Sequence, residues 1–94
     1  MAKFDKIAVL NKIGSTGMVP VFYHKDAEVA KKVVKACYDG GVRAFEFTNR
    51  GDFAQEVFAG LVKFAVRECP GMAMGVGSVV DPATAALYIQ SGAD

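Results

Sequence analysis

The residues best suited to chemistry lie in one stretch with the sequence VRAFEFTNRG. Its strand-like alternation places Phe45 and Phe47 on one face, which we expect helices to cover, and Glu46 and Thr48 on the other. Arg50 follows in the loop. A carboxylate, a hydroxyl and a guanidinium at the carboxyl end of a parallel strand would form a small-anion site with an acid/base group beside it. The alternative is an edge strand, with Glu46 in solvent and Arg50 as an ordinary surface charge.

The composition indicates one small packed domain and excludes several classes of protein. The chain has 94 residues, 52% of them hydrophobic, which suits at most one domain. A net charge of +1 gives no electrostatic footprint for nucleic acid, and no run of like charges indicates a membrane surface. The apolar runs are too short to cross a bilayer and no signal peptide is evident, so we expect a cytoplasmic protein. Cys37 and Cys69 lack partners at ligand spacing, so we expect buried, reduced thiols and no metal site.

A helix and a strand are predicted ahead of this stretch. Residues 3–13 have the amphipathic pattern of a short helix that caps a fold. Residues 18–23 form a continuous apolar run, typical of a strand buried on both faces, although Pro20 favours the start or edge of pairing. Asp26 is a good N-cap for the helix that follows, and Gly40-Gly41 is expected to end it.

Two further helices and a strand are predicted after it. Asp52 is expected to open a long helix, with Gln55 as its capping partner and Phe53 at the start of its apolar stripe. Residues 72–79 form a third apolar strand, which becomes rich in glycine toward its end. Asp81, followed by proline, is a strong start for the last helix.

The order of these elements predicts an α/β fold with a parallel sheet and right-handed crossovers. Residues 91–94 resemble the segment that leads into the second strand, with no strand behind them. Eight units of about 25 residues would give about 200 residues, the low end for a (β/α)8 barrel. We therefore expect the first three βα units of a TIM barrel plus an N-terminal helix, so that residues 1–94 would be the N-terminal part of one incomplete barrel domain.

Three motifs, in matching order and spacing, resemble one family. Residues 40–50 are similar to the second strand of the KDPG aldolases, the 2-keto-3-deoxy-6-phosphogluconate aldolases that also act as 4-hydroxy-2-oxoglutarate aldolases. Val19-Pro20-Val21 resembles their first strand. Residues 75–82, followed by Ser91-Gly92-Ala93, resemble their glycine-rich third strand and the end of the next helix. The likeness covers nearly the whole chain but less than half of a family member.

The resemblance implies a homotrimeric (β/α)8 barrel of class I aldolases that acts on small 2-keto acids without a cofactor or metal. A lysine on a later strand, beyond Asp94, would form a Schiff base with the ketone, and cleavage would yield pyruvate and an aldehyde. By resemblance, Glu46 shuttles protons during imine formation and carbon–carbon cleavage. Arg50 would hold the pyruvate carboxylate through two hydrogen bonds, and the Ser78 hydroxyl would contact the same carboxylate. Thr48 matches a strand-end threonine with a supporting role.

Three positions depart from the family pattern, and the end of the first strand is a fourth place to compare with it. Asn49 stands where an aliphatic residue is common, Gly51 where threonine is common, and Ser78 where threonine is usual. Near the end of the first strand, where some members carry a basic residue, this chain has Tyr23-His24-Lys25. Whether His24 is structural or helps to bind a substrate phosphate stays open at this point, as does the choice between phosphorylated and unphosphorylated substrates.

Other functions can be weighed against the aldolase. Dinucleotide binding through Gly75-Val76-Gly77 would need a third glycine where Val80 stands, so that fingerprint fails. A non-catalytic truncated or engineered half-barrel and another phosphate-binding TIM-barrel enzyme both stay open. An isolated three-stranded sheet would expose apolar residues and an unpaired edge strand, so we expect such a chain to self-associate and to be inactive alone.

Overall fold

The computed structural model describes residues 2–94, which form three strands and four α-helices. In chain order these are α1 (Lys6–Thr16), β1 (Val21–Phe22), α2 (Ala27–Asp39), β2 (Ala44–Thr48), α3 (Ala54–Glu68), β3 (Ala73–Gly77) and α4 (Pro82–Gln90). The strands are parallel and lie in the order β1-β2-β3, so each pairs with the next along the chain. The predicted α/β order and parallel sheet are confirmed. No helix in this part of the chain is both long enough and apolar enough to span a membrane.

The helix-covered face of β2 forms the centre of the core. Phe45 and Phe47 are 1% and 0% exposed, as their spacing predicts. The Phe58 ring of α3 lies 6.2 Å from that of Phe47 and 5.2 Å from that of Tyr88 in α4, measured between centroids. Burying aromatic side chains of this size stabilises a fold by about 1.5–3 kcal/mol each. The other members of this cluster are Ala30, Val34, Ala54, Leu61, Ala65, Cys69, Met72 and Met74.

The opposite face of the sheet is covered by α1 at its amino end. Ala44 and Ala73, the first residues of β2 and β3, are each 3% exposed. Val9 and Ile13 of α1 line a cleft together with them. The helix predicted to cap the fold therefore lies over the start of the strands, and the cleft beside it reaches Glu46 in the middle of β2.

Hydrogen bonds to the Asp94 carboxylate link the N-terminal segment to β3. The Asp94 carboxylate accepts hydrogen bonds from the main-chain N–H groups of Lys3, Phe4 and Met74, the last two at 2.9 Å. The Asp94 N–H donates to the Met74 carbonyl at 2.8 Å, so the chain after α4 returns to the edge of β3.

The first strand and first helix differ from the sequence prediction. β1 contains only Val21–Phe22, and Val21 and Met18 are 61% and 58% exposed, so the strand is not buried on both faces. Val21 pairs with Glu46, so it lies on the face of the sheet opposite the phenylalanines, and the edge position of β1 leaves it without a neighbouring strand on one side within residues 2–94. α1 begins later than predicted because the Asp5 side chain caps it, and it runs on to Thr16, where Gly17 caps its end with a φ of 68°.

The start of α3 also contradicts the prediction. Its N-cap residue is Phe53 rather than Asp52, and no side chain caps it. Phe53 has the left-handed φ of 59° and is 67% exposed, so the apolar stripe begins at Ala54, which is 1% exposed. A left-handed conformation costs a residue with a Cβ about 1–2 kcal/mol, which local sequence patterns do not anticipate.

The other predicted helix ends are confirmed. The Asp26 side chain accepts from the Glu28 N–H at 2.9 Å, and that of Asp81 accepts from the Thr84 N–H at 2.8 Å. Gly41, which follows α2, has the positive φ of 104° that favours glycine. The two cysteines are free: Cys69 is buried, which raises the pKa of its thiol, and Cys37 is half-buried.

The Asp81 cap makes stability depend on pH in a defined direction. Hydrogen bonds from the Thr84 N–H and hydroxyl hold the pKa of the Asp81 carboxyl below its usual 3.8. The ionised cap therefore stabilises the fold at neutral pH, and this stabilisation is lost as pH falls below 3.8 through the folded-state pKa. Asp81→Asn keeps an acceptor but cannot titrate. We expect the Tm difference between wild type and Asp81→Asn to shrink between about pH 6 and about pH 3, as measured by thermal melts. A constant difference would contradict this role.

Candidate active site

Glu46 and Thr48 lie on the face of β2 opposite the phenylalanines, and a glycine on β3 makes room for the carboxylate. The parallel register pairs Glu46 with Gly75 and Thr48 with Gly77. A Cβ atom added at Gly77 would lie 2.6 Å from Glu46 Oε1 and 3.2 Å from its carboxyl carbon. Any residue larger than glycine at position 77 would therefore displace the Glu46 carboxylate.

Glu46 lies in a cleft between the sheet and α1 and is half-buried there. The cleft has a volume of about 160 Å³, and most of its lining is apolar, including Val9, Ile13, Val19, Ala44, Phe45, Ala73, Met74 and Val76. The ion pairs within residues 2–94 are Lys31–Glu28 and Lys35–Asp39, both on α2. The Glu46 carboxylate thus has no cationic partner in this part of the chain. A carboxylate in that setting can exchange protons with a ligand bound beside it.

Arg50 stands two residues beyond the end of β2, and Tyr23 supports it. The guanidinium carbon lies 5.4 Å from the centroid of the Tyr23 ring, which itself packs against Phe47 at 5.6 Å between centroids. The Arg50 side chain is exposed and forms no ion pair with any described residue. A guanidinium held against a ring in this way keeps its planar set of N–H donors free for an anion.

Gly51 permits this approach of Tyr23. Its φ is 85°, in the region that favours glycine. A Cβ added at Gly51 would overlap the Tyr23 hydroxyl oxygen and lie 2.9 Å from the ring carbon that bears it. The departure from the family pattern at position 51 is thus matched to Tyr23, whose contact with this loop the sequence did not indicate.

Ser78 follows β3 directly, and Asn49 holds its main chain. The Asn49 N–H donates to the Gly77 carbonyl at 2.6 Å, and Asn49 Nδ2 donates to the Ser78 carbonyl at 3.1 Å. Asn49 Oδ1 accepts from the hydroxyl of Tyr88 at 2.7 Å. Because β2 and β3 lie side by side, Ser78 and Arg50 stand in adjacent loops at the carboxyl edge of the sheet.

The structure therefore brings the four predicted site residues to one edge of the sheet. Glu46 and Thr48 lie on the inner face of β2, and Arg50 and Ser78 lie in the loops after β2 and β3. None of these four side chains forms a hydrogen bond with another described residue, which leaves their polar atoms available to a ligand. The roles assigned to them from the resemblance remain predictions.

No hydrogen bond or ion pair within the described residues joins His24 or Lys3 to these four side chains. His24 Nδ1 accepts from the Asp26 N–H at 2.9 Å, and its ring stacks on Phe22, so it organises the start of α2. Burial lowers the pKa of the Lys3 ammonium. Its Nζ, however, donates to the Met72 carbonyl, just ahead of β3, whereas the site lies at the other end of that strand. No three His, Cys, Asp or Glu side chains within residues 2–94 converge as metal ligands would.

Replacing Gly51 tests the packing under Arg50. We expect Gly51→Ala to lower the free energy of unfolding by about 1–2 kcal/mol from its backbone conformation alone, and further because Tyr23 must move. Gly14 in α1 offers a matched control, since an added Cβ there has nothing within 4 Å. Gly14→Ala should be neutral or stabilise by about 0.5–1 kcal/mol. Urea denaturation measures both, and equal effects would contradict the close approach of Tyr23.

The region of the chain that matches a known protein family contains the whole of this site. No curated protein matches the chain. The family model described as "Aldolase: KDPG and KHG aldolase" matches residues 9–94. The matched region begins within α1 and contains all three strands and the four predicted site residues. Since this region is far more than half of the sequence, the chain belongs to the KDPG and KHG aldolase family.

Proposed function

We propose that the complete protein is a class I aldolase that cleaves 2-keto-3-deoxy-6-phosphogluconate or 4-hydroxy-2-oxoglutarate type substrates to pyruvate and an aldehyde. Membership of the aldolase family supports a carbon–carbon lyase. The observation that carries the proposal is the Glu46 carboxylate, which lies over Gly77 without a cationic partner among the described residues. Arg50 stands at the same edge of the sheet with its donors free.

In this proposal, the substrate carboxylate binds Arg50 and Ser78. The guanidinium donates two parallel hydrogen bonds, which fix the plane of the carboxylate as well as its place. The Ser78 hydroxyl donates a further one, and Thr48 supports the end of β2. The keto carbon is thereby directed toward the inner face of the sheet, where Glu46 lies.

Glu46 then moves the protons. A lysine beyond Asp94 attacks the keto carbon, and Glu46 donates the proton with which the carbinolamine oxygen leaves as water. The ionised Glu46 takes the proton of the 4-hydroxyl, the C3–C4 bond breaks, and its electrons pass toward the imine nitrogen. The aldehyde leaves, Glu46 returns its proton to C3, and hydrolysis of the imine releases pyruvate.

We further propose that this chain supplies the first three βα units of a (β/α)8 barrel. The exposed edge at Val21 and the exposed Ile7 and Leu10 of α1, which are 64% and 53% accessible, support packing against further units. The return of Asp94 to the edge of β3 supports a strand beginning there. In this proposal the complete protein is a cytoplasmic homotrimer, and the chain alone self-associates and is inactive because it lacks the lysine nucleophile.

Borohydride trapping with pyruvate tests the proposed function, because reduction makes an imine permanent. We expect the complete protein to acquire one pyruvate-derived adduct on a lysine after residue 94, and this chain alone to acquire none. Mass spectrometry of peptides locates the adduct. An adduct on a lysine of this chain would overturn the placement of the nucleophile. No adduct in the complete protein would overturn class I chemistry and favour a non-catalytic or different phosphate-binding barrel.

Two substitutions test Glu46: one removes its carboxylate, and the other alters the glycine on which the carboxylate lies. In the complete protein, Glu46→Gln should lower kcat for cleavage by about 10²-fold or more, the usual scale for a general acid/base. Gly77→Ala should also lower kcat, because its Cβ displaces the carboxylate. Gly75→Ala is the matched control, since its added Cβ would meet only the Phe45 carbonyl, at an ordinary 3.6 Å. Near-normal turnover of Glu46→Gln would remove Glu46 from the role.

A further inference from the structure

Asn49 links the ends of two strands to a helix through both ends of its side-chain amide. Its Nδ2 donates to the Ser78 carbonyl at 3.1 Å, and its Oδ1 accepts from the Tyr88 hydroxyl at 2.7 Å. A carbonyl can only accept, so the NH₂ end must face Ser78 and the oxygen end must face the phenol. The orientation of the amide is therefore fixed by the chemistry of its two neighbours.

Tyr88 gives this link a rigid base. It is 1% exposed, and its ring packs edge-to-face on Phe58 at 5.2 Å between centroids. A phenol is protonated at neutral pH and can donate, and burial raises the pKa of this one further. A buried hydroxyl needs a partner, and Asn49 Oδ1 is the acceptor that the structure provides. The Asn49 side chain is thus held in one place by a group that cannot easily move.

We propose that Asn49 is a positioning residue that fixes Ser78 for binding the substrate carboxylate, with Tyr88 as its anchor. The inference rests on the proposed function, in which the Ser78 hydroxyl contacts that carboxylate. Ser78 is exposed and begins the loop between β3 and α4. The Asp81 cap holds the far end of that loop, and the amide of Asn49 holds the near end. Without the amide, the main chain at Ser78 would lose this hydrogen bond, and the side chain that it carries would be less firmly placed.

A double-mutant cycle in the complete protein tests whether Asn49 acts through Ser78. We expect Asn49→Leu and Ser78→Ala each to raise the pyruvate inhibition constant about tenfold, with a smaller change in kcat. If Asn49 acts through Ser78, the double variant should bind pyruvate no more weakly than Ser78→Ala does. Losses that multiply in the double variant, or an unchanged inhibition constant in Asn49→Leu, would overturn the proposal.

A second pair of variants separates positioning from stability. Asn49→Leu leaves the Tyr88 hydroxyl buried without its acceptor, so its Tm should fall. Adding Tyr88→Phe removes that hydroxyl, so Asn49→Leu/Tyr88→Phe should recover much of the lost Tm while its pyruvate inhibition constant stays raised. Recovery of binding together with Tm would show a structural role alone. This double variant also supplies a folded protein for the binding measurement if Asn49→Leu does not fold.

Imine trapping keeps the two proposals apart. Absence of an adduct in the wild-type complete protein would overturn the proposed function. An adduct in the wild-type protein, together with unchanged pyruvate binding in Asn49→Leu/Tyr88→Phe, would overturn only the role of Asn49.

Discussion

The parallel pairing of β2 with β3 is the constraint on which the rest of the structure depends. Its register pairs Glu46 with Gly75 and Thr48 with Gly77, and it leaves Phe45 and Phe47 facing the helices. Side chains alternate along a strand, so a slip of one residue would bring the two rings to the cleft and the carboxylate into the core. Burial of the rings therefore specifies the register, and the register in turn specifies the site. The apolar core and the chemistry are set by one ladder of hydrogen bonds.

The two faces of β2 and most helix ends could be predicted because each depends on residues close together in the sequence. Asp81 caps a helix through Thr84, three positions away, and the alternation around Glu46 needs only its neighbours. The start of α3 was mispredicted for a related reason. Asp52 and Gln55 fit a local capping pattern, but the chain turns through a left-handed Phe53 instead, a conformation that no pattern of residue types signals.

The supports of the site were beyond local reasoning because their partners are far apart in the sequence. Asn49 contacts Tyr88, 39 positions later, and Gly51 faces Tyr23, which directly follows β1. Asn49 and Gly51 were visible only as departures from the family pattern. In the structure each of these residues contacts a tyrosine. The Asn49 amide accepts a hydrogen bond from Tyr88, and the absence of a side chain at Gly51 makes room for Tyr23. Asn49 and Gly51 were thus the available signal, but nothing in the sequence indicated which of the aromatic residues each would contact.

The contact between Glu46 and Gly77 has a consequence for how such a chain can change over generations. Glycine in a strand is less stable than alanine by about 0.5–1 kcal/mol, so substitution at position 77 is opposed mainly by the carboxylate above it. A lineage that lost Glu46 would be free to accept a side chain at Gly77 and to gain stability from it. Once that side chain was present, restoring the carboxylate alone would produce a steric overlap. Loss of Glu46 would then be hard to reverse, because two substitutions, at positions 46 and 77, would have to occur together.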